Sequence, residues 1–283
     1  MKRTVFLVAL VAVAGCELFK GPTDPAPPAA NEVNYTAIGA SDAIGFGGSI
    51  PCIPFTACPN GTGYVSTLVR RLEADKKAVK LVNLGLPGAV LAPEVEAMGD
   101  ALGRGIPGNF LERELPFVPR DSTLVTIFAG GNDVNTVGDA AQSGLGGSDI
   151  NTFLTTQIQN FGRDMRTLVS GILDRAPTAR IVALNLPNMG ALPYAGGFST
   201  LQKRGLQEIS VGFSARINSL VSEGVIVIDL MCDSRMYEAG MYSGDGFHPN
   251  DTGYAYLAEL AYQAAITLAP VAPRSSCPQM AIF

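Results

Sequence analysis

The strongest sign of chemistry in this 283-residue chain is the segment Asp245-Gly246-Phe247-His248-Pro249 near the carboxy terminus. His248 is the only histidine, and imidazole is the side chain that most often serves as a general base near neutral pH. A lone histidine is more often a structural residue. Here, however, a carboxylate stands three residues upstream, and the scarcity of histidine and its spacing from Asp245 together favour a functional role.

Three further segments place polar groups or glycines directly after predicted strands. The segment 39–42 puts the Ser41 hydroxyl at a predicted strand-to-helix turn, where a serine can also be a helix cap. The glycine turn 83–88, which ends at Gly88, either points N–H groups outward or is an ordinary turn. Gly130-Gly131-Asn132-Asp133 presents Asn132 as an amide donor or as part of an Asx turn.

Acyl transfer is the chemistry that joins these segments. Ser41 would attack an ester carbonyl while His248 takes its proton, and Asp245 would fix the imidazole tautomer and stabilise the imidazolium. The Ser41 N–H, the Gly88 N–H and the Asn132 side-chain amide would form an oxyanion hole. Losing one such donor typically costs about 3 kcal/mol of transition-state stabilisation.

The four segments, in this order, resemble the SGNH hydrolases, or GDSL-like lipases and esterases, named after Ser, Gly, Asn and His in four blocks. The resemblance covers residues 38–249 and implies a flavodoxin-like three-layer α/β/α sandwich with a five-stranded parallel sheet. It implies Ser41 as nucleophile, Asp245 and His248 as its partners, and Ser41, Gly88 and Asn132 as the oxyanion hole. The first block reads Gly-Ala-Ser-Asp instead of the usual Gly-Asp-Ser-Leu but keeps the serine.

Composition and motifs argue against several other classes of protein. The chain contains neither the G-x-S-x-G elbow of α/β-hydrolases nor a P-loop. Only 16% of its residues are charged, and the net charge is -5. No basic cluster follows the first three residues, so nucleic acid is not an expected partner. No cofactor is expected either.

Apolar runs that alternate with amphipathic segments predict a parallel sheet covered by helices on both faces. Ligands bind beyond the carboxyl ends of such strands, where the candidate residues lie. The predicted strands, each expected to be buried on both faces, are 35–38, 79–83, 123–128, 180–184 and 225–228. The predicted helices are 63–75, 152–174, 200–222 and 251–268. One apolar face of the third helix comprises Leu201, Leu206, Ile209, Phe213, Ile217 and Leu220.

The amino terminus predicts export and lipid anchoring. Two basic residues precede an apolar run over 5–15, whose helical length of about 16 Å cannot span a hydrocarbon core roughly 30 Å thick. Small residues before Cys16 resemble a bacterial lipoprotein signal, with an ordinary signal peptide as the alternative. We therefore expect residues 1–15 to be cleaved and Cys16 to carry lipid. Residues 16–33 are expected to be a Pro/Ala-rich tether, and residues 34–283 a hydrolase domain held at the outer membrane or cell surface.

Four cysteines follow Cys16, an even number in an oxidising compartment. Two disulfides are expected, Cys52 with Cys58 and Cys232 with Cys277, although the other two pairings remain open. A metal site is disfavoured because the chain has no C-x-x-C pair and a single histidine.

The expected substrate is a small acyl ester or a lipid, and the expected membrane contact is the lipid on Cys16. Acetyl esters of a polysaccharide are the enzymatic alternative, and a non-catalytic surface binding lipoprotein is the other. Selectivity should depend on the loops 43–62 and 136–149. Four apolar residues of the first loop either line an acyl pocket or form a satellite core: Phe46, Ile50, Ile53 and Phe55.

Overall fold

The computed structural model describes residues 31–53 and 56–283. The predicted signal peptide, Cys16 and nearly all of the predicted tether lie outside these residues, as does Phe55. The predicted hydrolase domain is thus described apart from a short gap in the loop after the first strand.

Five parallel strands form one sheet. They are β1 (Glu32–Gly39), β2 (Ala78–Asn83), β3 (Leu124–Phe128), β4 (Arg180–Leu184) and β5 (Ile226–Ile228). Their order across the sheet is β2-β1-β3-β4-β5, and every neighbouring pair is parallel. This is the flavodoxin-like order, in which the chain reverses direction across the sheet after β2. All five predicted strands are confirmed to within a few residues.

Helices cover both faces of the sheet. They are α1 (Tyr64–Ala74), α2 (Pro93–Ala101), α3 (Phe110–Arg113), α4 (Gly131–Ser143), α5 (Ile150–Arg175), α6 (Thr200–Ser219) and α7 (Asp251–Ile266). On one face of the sheet, α1 packs against α7. On the other face, α6 packs against both α4 and α5, while α2 contacts α4 and α3 contacts α5. This arrangement confirms the predicted three-layer α/β/α sandwich.

The strands are not equally buried. In β1 the side chains of Tyr35, Ala37 and Ile38 are fully buried, because this strand has a neighbour on each side and helices on both faces. By contrast β2 lies at the edge of the sheet, and its Leu81 is 37% exposed. The expectation that all five strands are buried on both faces is therefore wrong for β2.

The apolar face predicted for α6 packs on the core, with one exception. Its central rings stack on α5, where the centroids of Phe161 and Phe213 lie 3.9 Å apart. Leu201 is 81% exposed because it lies in the first turn, before the helix reaches the core. Ser199 begins the helix with a capping box that includes Gln202, which fixes where the helix starts.

Three helices between β2 and β4, namely α2, α3 and α4, were not predicted from the sequence. The helix α4 occupies part of the segment 136–149 for which a loop was expected. Its sequence is rich in Gly, Asn and Asp, which are weak helix formers. Burial of Val134, Val137 and Ala140 stabilises the helix instead, so packing outweighs local propensity.

Both expected disulfides are present, Cys52 with Cys58 and Cys232 with Cys277. The second fastens the carboxy-terminal tail to the turn after β5. No helix within residues 31–53 and 56–283 has the length and apolar character needed to cross a membrane.

Candidate active site

Ser41 lies just beyond β1, in a series of tight turns over residues 40–47. The predicted strand-to-helix turn is wrong, since α1 begins only at Tyr64. The Ser41 residue is 6% exposed, and its backbone N–H has no hydrogen-bond partner within the described part of the chain. The serine is thus presented at the carboxyl edge of the sheet with a backbone donor available.

The Ser41 hydroxyl faces the only histidine. Its Oγ lies 2.8 Å from Nε2 of His248, and Nδ1 of the same ring lies 2.6 Å from Oδ2 of Asp245. The three residues form one hydrogen-bonded chain from hydroxyl through imidazole to carboxylate. With this geometry an imidazole can take the hydroxyl proton while the carboxylate holds its tautomer.

The Asp245 carboxylate accepts hydrogen bonds from four donors. Oδ2 accepts from the His248 ring, while Oδ1 accepts from the Ser243 hydroxyl and from the N–H groups of Phe247 and His248. Partial burial alone would raise the pKa of Asp245, but these hydrogen bonds hold that pKa well below its usual value. The carboxylate therefore stays negative beside the imidazole.

The turn that carries His248 is anchored by its backbone and by ring contacts. The Ser243 N–H donates to the His248 carbonyl oxygen at 2.8 Å, which closes the turn. Two residues further on, the Asn250 side chain caps α7 by accepting from two N–H groups of its first turn. The rings of Phe46 and Phe247 meet the imidazole edge to face, with centroids 4.7 and 4.8 Å away. These contacts fix the orientation of the imidazole.

Two further donors lie on neighbouring segments. Gly88 has a φ of +84°, in the left-handed region that favours glycine, and its N–H has no partner among the described residues. Asn132 lies in the first turn of α4, directly after a second left-handed glycine, Gly130, and its neighbour Gly131. The Asn132 Nδ2 donates to the Ala89 carbonyl oxygen at 2.9 Å, so one amide hydrogen remains for another acceptor.

A narrow pocket opens beside Ser41 and Asn132. Its volume is about 50 Å³, well below the roughly 150 Å³ of a cavity that holds a benzene ring. Most of the walls are apolar, and they include Phe110, Phe128, Leu186, Met189, Leu192, Met236 and Phe247. The pocket suits a small apolar group next to the serine.

A second, more open groove adjoins the same donors. It is lined by Gly88, Asn132 and the segment 104–107, in which Arg104 forms a salt bridge with Asp139. Asn132 borders both the groove and the apolar pocket, so a group bound to its amide would lie between the two.

Of the four apolar residues expected to line an acyl pocket, the three that the structure describes take no part in it. Phe46, Ile50 and Ile53 are 49%, 46% and 72% exposed, so they form neither the pocket nor a satellite core. The walls come instead from the segments at and after the ends of β1, β3, β4 and β5, and from α3. The rule that strand ends carry the site could have found Phe128 and Leu186, because both follow or end a predicted strand.

Two buried acids near the site were not singled out from the sequence. Glu114 and Asp133 are both 0% exposed. Asp133 could have been found from the sequence, because it directly follows Asn132 at a predicted strand end. Glu114 could not, because it lies far from any predicted strand end. Among residues 31–53 and 56–283, no group of three or more His, Cys, Asp and Glu side chains is arranged to hold a metal ion.

Comparison with known proteins gives a consistent result. The profile of the GDSL-like Lipase/Acylhydrolase family matches residues 37–256, while a search of curated proteins finds no match. A lipase from a goat rumen metagenome superposes with a TM-score of 0.56 at 19% identity, over 82% of this chain and 97% of that one. An extracellular lipase from Streptomyces rimosus gives 0.52 at 19%, over 82% and 99%. An acetyl xylan esterase from Geobacillus stearothermophilus gives 0.50 at 18%, over 84% and 96%.

The hydrogen bonds to Asp245 should make its contribution to stability depend on pH. Because the folded-state pKa is lowered, this stability is present above the unfolded pKa and is lost as the pH falls toward the folded pKa. We expect the difference in Tm between wild type and Asp245→Ala to narrow from pH 5 to pH 2.5 in thermal melts. For Ser243→Ala, which removes one of the four donors, the difference in Tm from the wild type should also narrow over this pH range, but by less. A difference that stays constant with pH would contradict this account.

Proposed function

This chain belongs to the GDSL-like lipase/acylhydrolase family, whose profile spans most of its length, and we propose that it hydrolyses carboxylic esters with Ser41 as nucleophile. The observation that carries the proposal is the hydrogen-bonded chain of Ser41, His248 and Asp245. Family membership supports an ester hydrolase in general. The geometry supports the specific roles proposed for these three residues.

In the proposed mechanism, Ser41 Oγ attacks the ester carbonyl carbon as its proton passes to Nε2 of His248. Asp245 stabilises the imidazolium, and the developing oxyanion accepts from the Ser41 N–H, the Gly88 N–H and the Asn132 amide. His248 then protonates the departing alcohol, which leaves an acyl group on Ser41. Water, deprotonated by His248, attacks that acyl group and releases the acid and the free serine.

Replacing Ser41 with Ala should remove turnover of p-nitrophenyl acetate, with kcat lower by about four orders of magnitude or more. The variant should also fail to react with a fluorophosphonate probe that labels the wild type. Ser170→Ala, on the exposed face of α5, is the control and should retain both. Activity retained by Ser41→Ala would contradict the proposal that Ser41 is the nucleophile. Failure of the folded wild type to label or to hydrolyse any ester would favour a non-catalytic binding lipoprotein.

The size of the apolar pocket supports a short acyl group. A pocket of about 50 Å³ beside Ser41 is small for an extended alkyl chain and closer in size to an acetyl group. Solved structures of this fold include both lipases and an acetyl xylan esterase, so the fold alone does not choose between long and short acyl groups. We place this protein at the short end of that range.

The open groove supports acetylated carbohydrate as the second candidate substrate. Its backbone groups and the Asn132 amide offer polar contacts, and Arg104, which pairs with Asp139, also lines it. A hydroxylated alcohol moiety would find hydrogen-bond partners there, and an acetyl group would enter the pocket.

For p-nitrophenyl esters, kcat/KM should be higher for acetate or butyrate than for octanoate by at least about tenfold. Leu192→Ala should enlarge the pocket and raise relative turnover of octanoate, while Leu201→Ala, outside the pocket, should not. A kcat/KM that increases up to octanoate in the wild type would contradict the short-acyl assignment. Acetate release from acetylated xylan, measured in parallel, would favour the carbohydrate substrate. Its absence would favour simple esters.

We also propose that the protein is exported and anchored in the bacterial cell envelope by lipid on Cys16, at the outer membrane or cell surface. The proposal rests on the basic start, the short apolar run and the small residues before that cysteine. Two acyl signals on one cysteine would suffice for stable anchoring, so no membrane-spanning helix is required.

Expression of the full-length chain in a bacterium fed an alkyne-tagged fatty acid should label the wild type and leave it in the membrane fraction. Cys16→Ser should abolish the label and leave the precursor uncleaved. Cys58→Ser, which removes a different cysteine, should remain labelled and is the matched control. Export with cleavage but without label would point to an ordinary signal peptide.

A further inference from the structure

Two buried carboxyl groups adjoin the segments that carry the proposed oxyanion donors. Glu114 and Asp133 are both 0% exposed, and neither forms a salt bridge within the described part of the chain. Each has one oxygen with no hydrogen-bond partner there, Oε1 of Glu114 and Oδ2 of Asp133. Buried acids without a cation partner are unfavourable for folding. Their retention next to the site therefore suggests a role there.

Glu114 ties the nucleophile turn to the end of α3. Its Oε2 accepts from the Gly39 N–H at 2.9 Å, and Gly39 stands two residues before Ser41. The Gly39 carbonyl oxygen in turn accepts from the Leu86 N–H at 3.0 Å, two residues before Gly88. One carboxyl group therefore holds the backbone from which the Ser41 and Gly88 donors project.

Asp133 ties the same loop to the start of α4. Its Oδ1 accepts from the Leu91 N–H at 2.9 Å, three residues after Gly88, and Asp133 itself follows Asn132. The Asn132 amide adds a third contact through the Ala89 carbonyl oxygen. The loop that contains Gly88 is thus held on one side toward Ser41 and on the other toward Asn132.

We propose that Glu114 and Asp133 are positioning residues, which act through backbone N–H groups to set the Ser41, Gly88 and Asn132 donors at mutually fixed distances. This inference rests on the proposed function, since it concerns the same oxyanion hole. Catalytic groups need placement within about 0.5 Å, and displacements of about 1 Å can lower rates roughly a hundredfold. Neither acid contacts the reacting atoms.

Burial favours the neutral form of both acids. Burial raises the pKa of Glu114 well above its usual value, although the N–H groups of Gly39 and Leu86 oppose this. Burial likewise raises the pKa of Asp133 to about 7, with the Leu91 N–H opposing and Asp164 on α5 raising it further. Arg163, next to Asp164, pairs with that residue and not with Asp133. A neutral carboxyl still accepts a backbone hydrogen bond and adds no negative charge near a developing oxyanion.

The test compares Glu114→Gln with Glu114→Leu in the full chain, using p-nitrophenyl acetate. Gln keeps the acceptor and is neutral, so it should retain most of kcat. Leu removes the acceptor, so kcat should fall at least about tenfold while KM changes by less than about twofold. The control is Thr36→Val on β1, whose hydroxyl bonds Ser122 at 2.8 Å in the core, and its kcat should not change even if its Tm falls.

Asp133→Asn and Asp133→Leu form a second, independent pair if Glu114→Leu does not fold. Asp133→Asn should retain most of kcat, and Asp133→Leu should lose at least about tenfold. If the Leu variants lower Tm as Thr36→Val does but leave kcat unchanged, the acids serve the fold alone and the inference fails. It fails also if the Gln and Asn variants lose as much kcat as the Leu variants, because a negative charge would then be required. A folded wild type that hydrolyses no ester would instead contradict the proposed function itself.

Discussion

The hydrogen bond between Ser41 and His248 joins residues that lie 207 positions apart, and the rest of the architecture must satisfy it. Ser41 follows β1, a central strand, whereas His248 precedes α7, the last helix. These segments meet because α7 packs against α1 on the same face of the sheet. A second contact secures the arrangement, since Asp251 in the first turn of α7 accepts from both the N–H and the hydroxyl of Ser49.

Backbone groups supply two of the three proposed oxyanion donors, the N–H groups of Ser41 and Gly88. Parallel strands end at one edge of the sheet, and the chain must turn sharply there before each helix begins. Two of these turns depend on glycines in the left-handed region, Gly88 and Gly130. A backbone donor has no side-chain freedom to lose, so donors of this kind are already ordered before a substrate arrives.

The sequence predicted what depends on apolar periodicity and on segments close to strand ends. All five strands and the positions of Ser41 and Asn132 fall in this class, because strands of a parallel sheet form short apolar runs. His248 was found differently, as the only histidine and three residues after an aspartate. Tertiary packing determined what was missed. The helix α4 forms despite weak helix propensity, Leu201 is exposed on an otherwise apolar helix face, and Glu114 reaches β1 from a segment with no periodic pattern. No local signal marks such contacts.

Three carboxyl groups near the site differ in charge because their surroundings differ. Asp245 receives four donors, one of them the imidazole, and its pKa is held low, so it remains an anion beside the base. Glu114 and Asp133 receive few donors and are fully buried, so their pKa values are raised. In the proposed reaction, a negative charge beside the imidazole would stabilise the imidazolium, whereas one behind the proposed oxyanion donors would oppose the oxyanion. The fold therefore gives hydrogen-bond donors and solvent access to the carboxylate whose charge would assist that reaction, and it buries the two whose charge would hinder it.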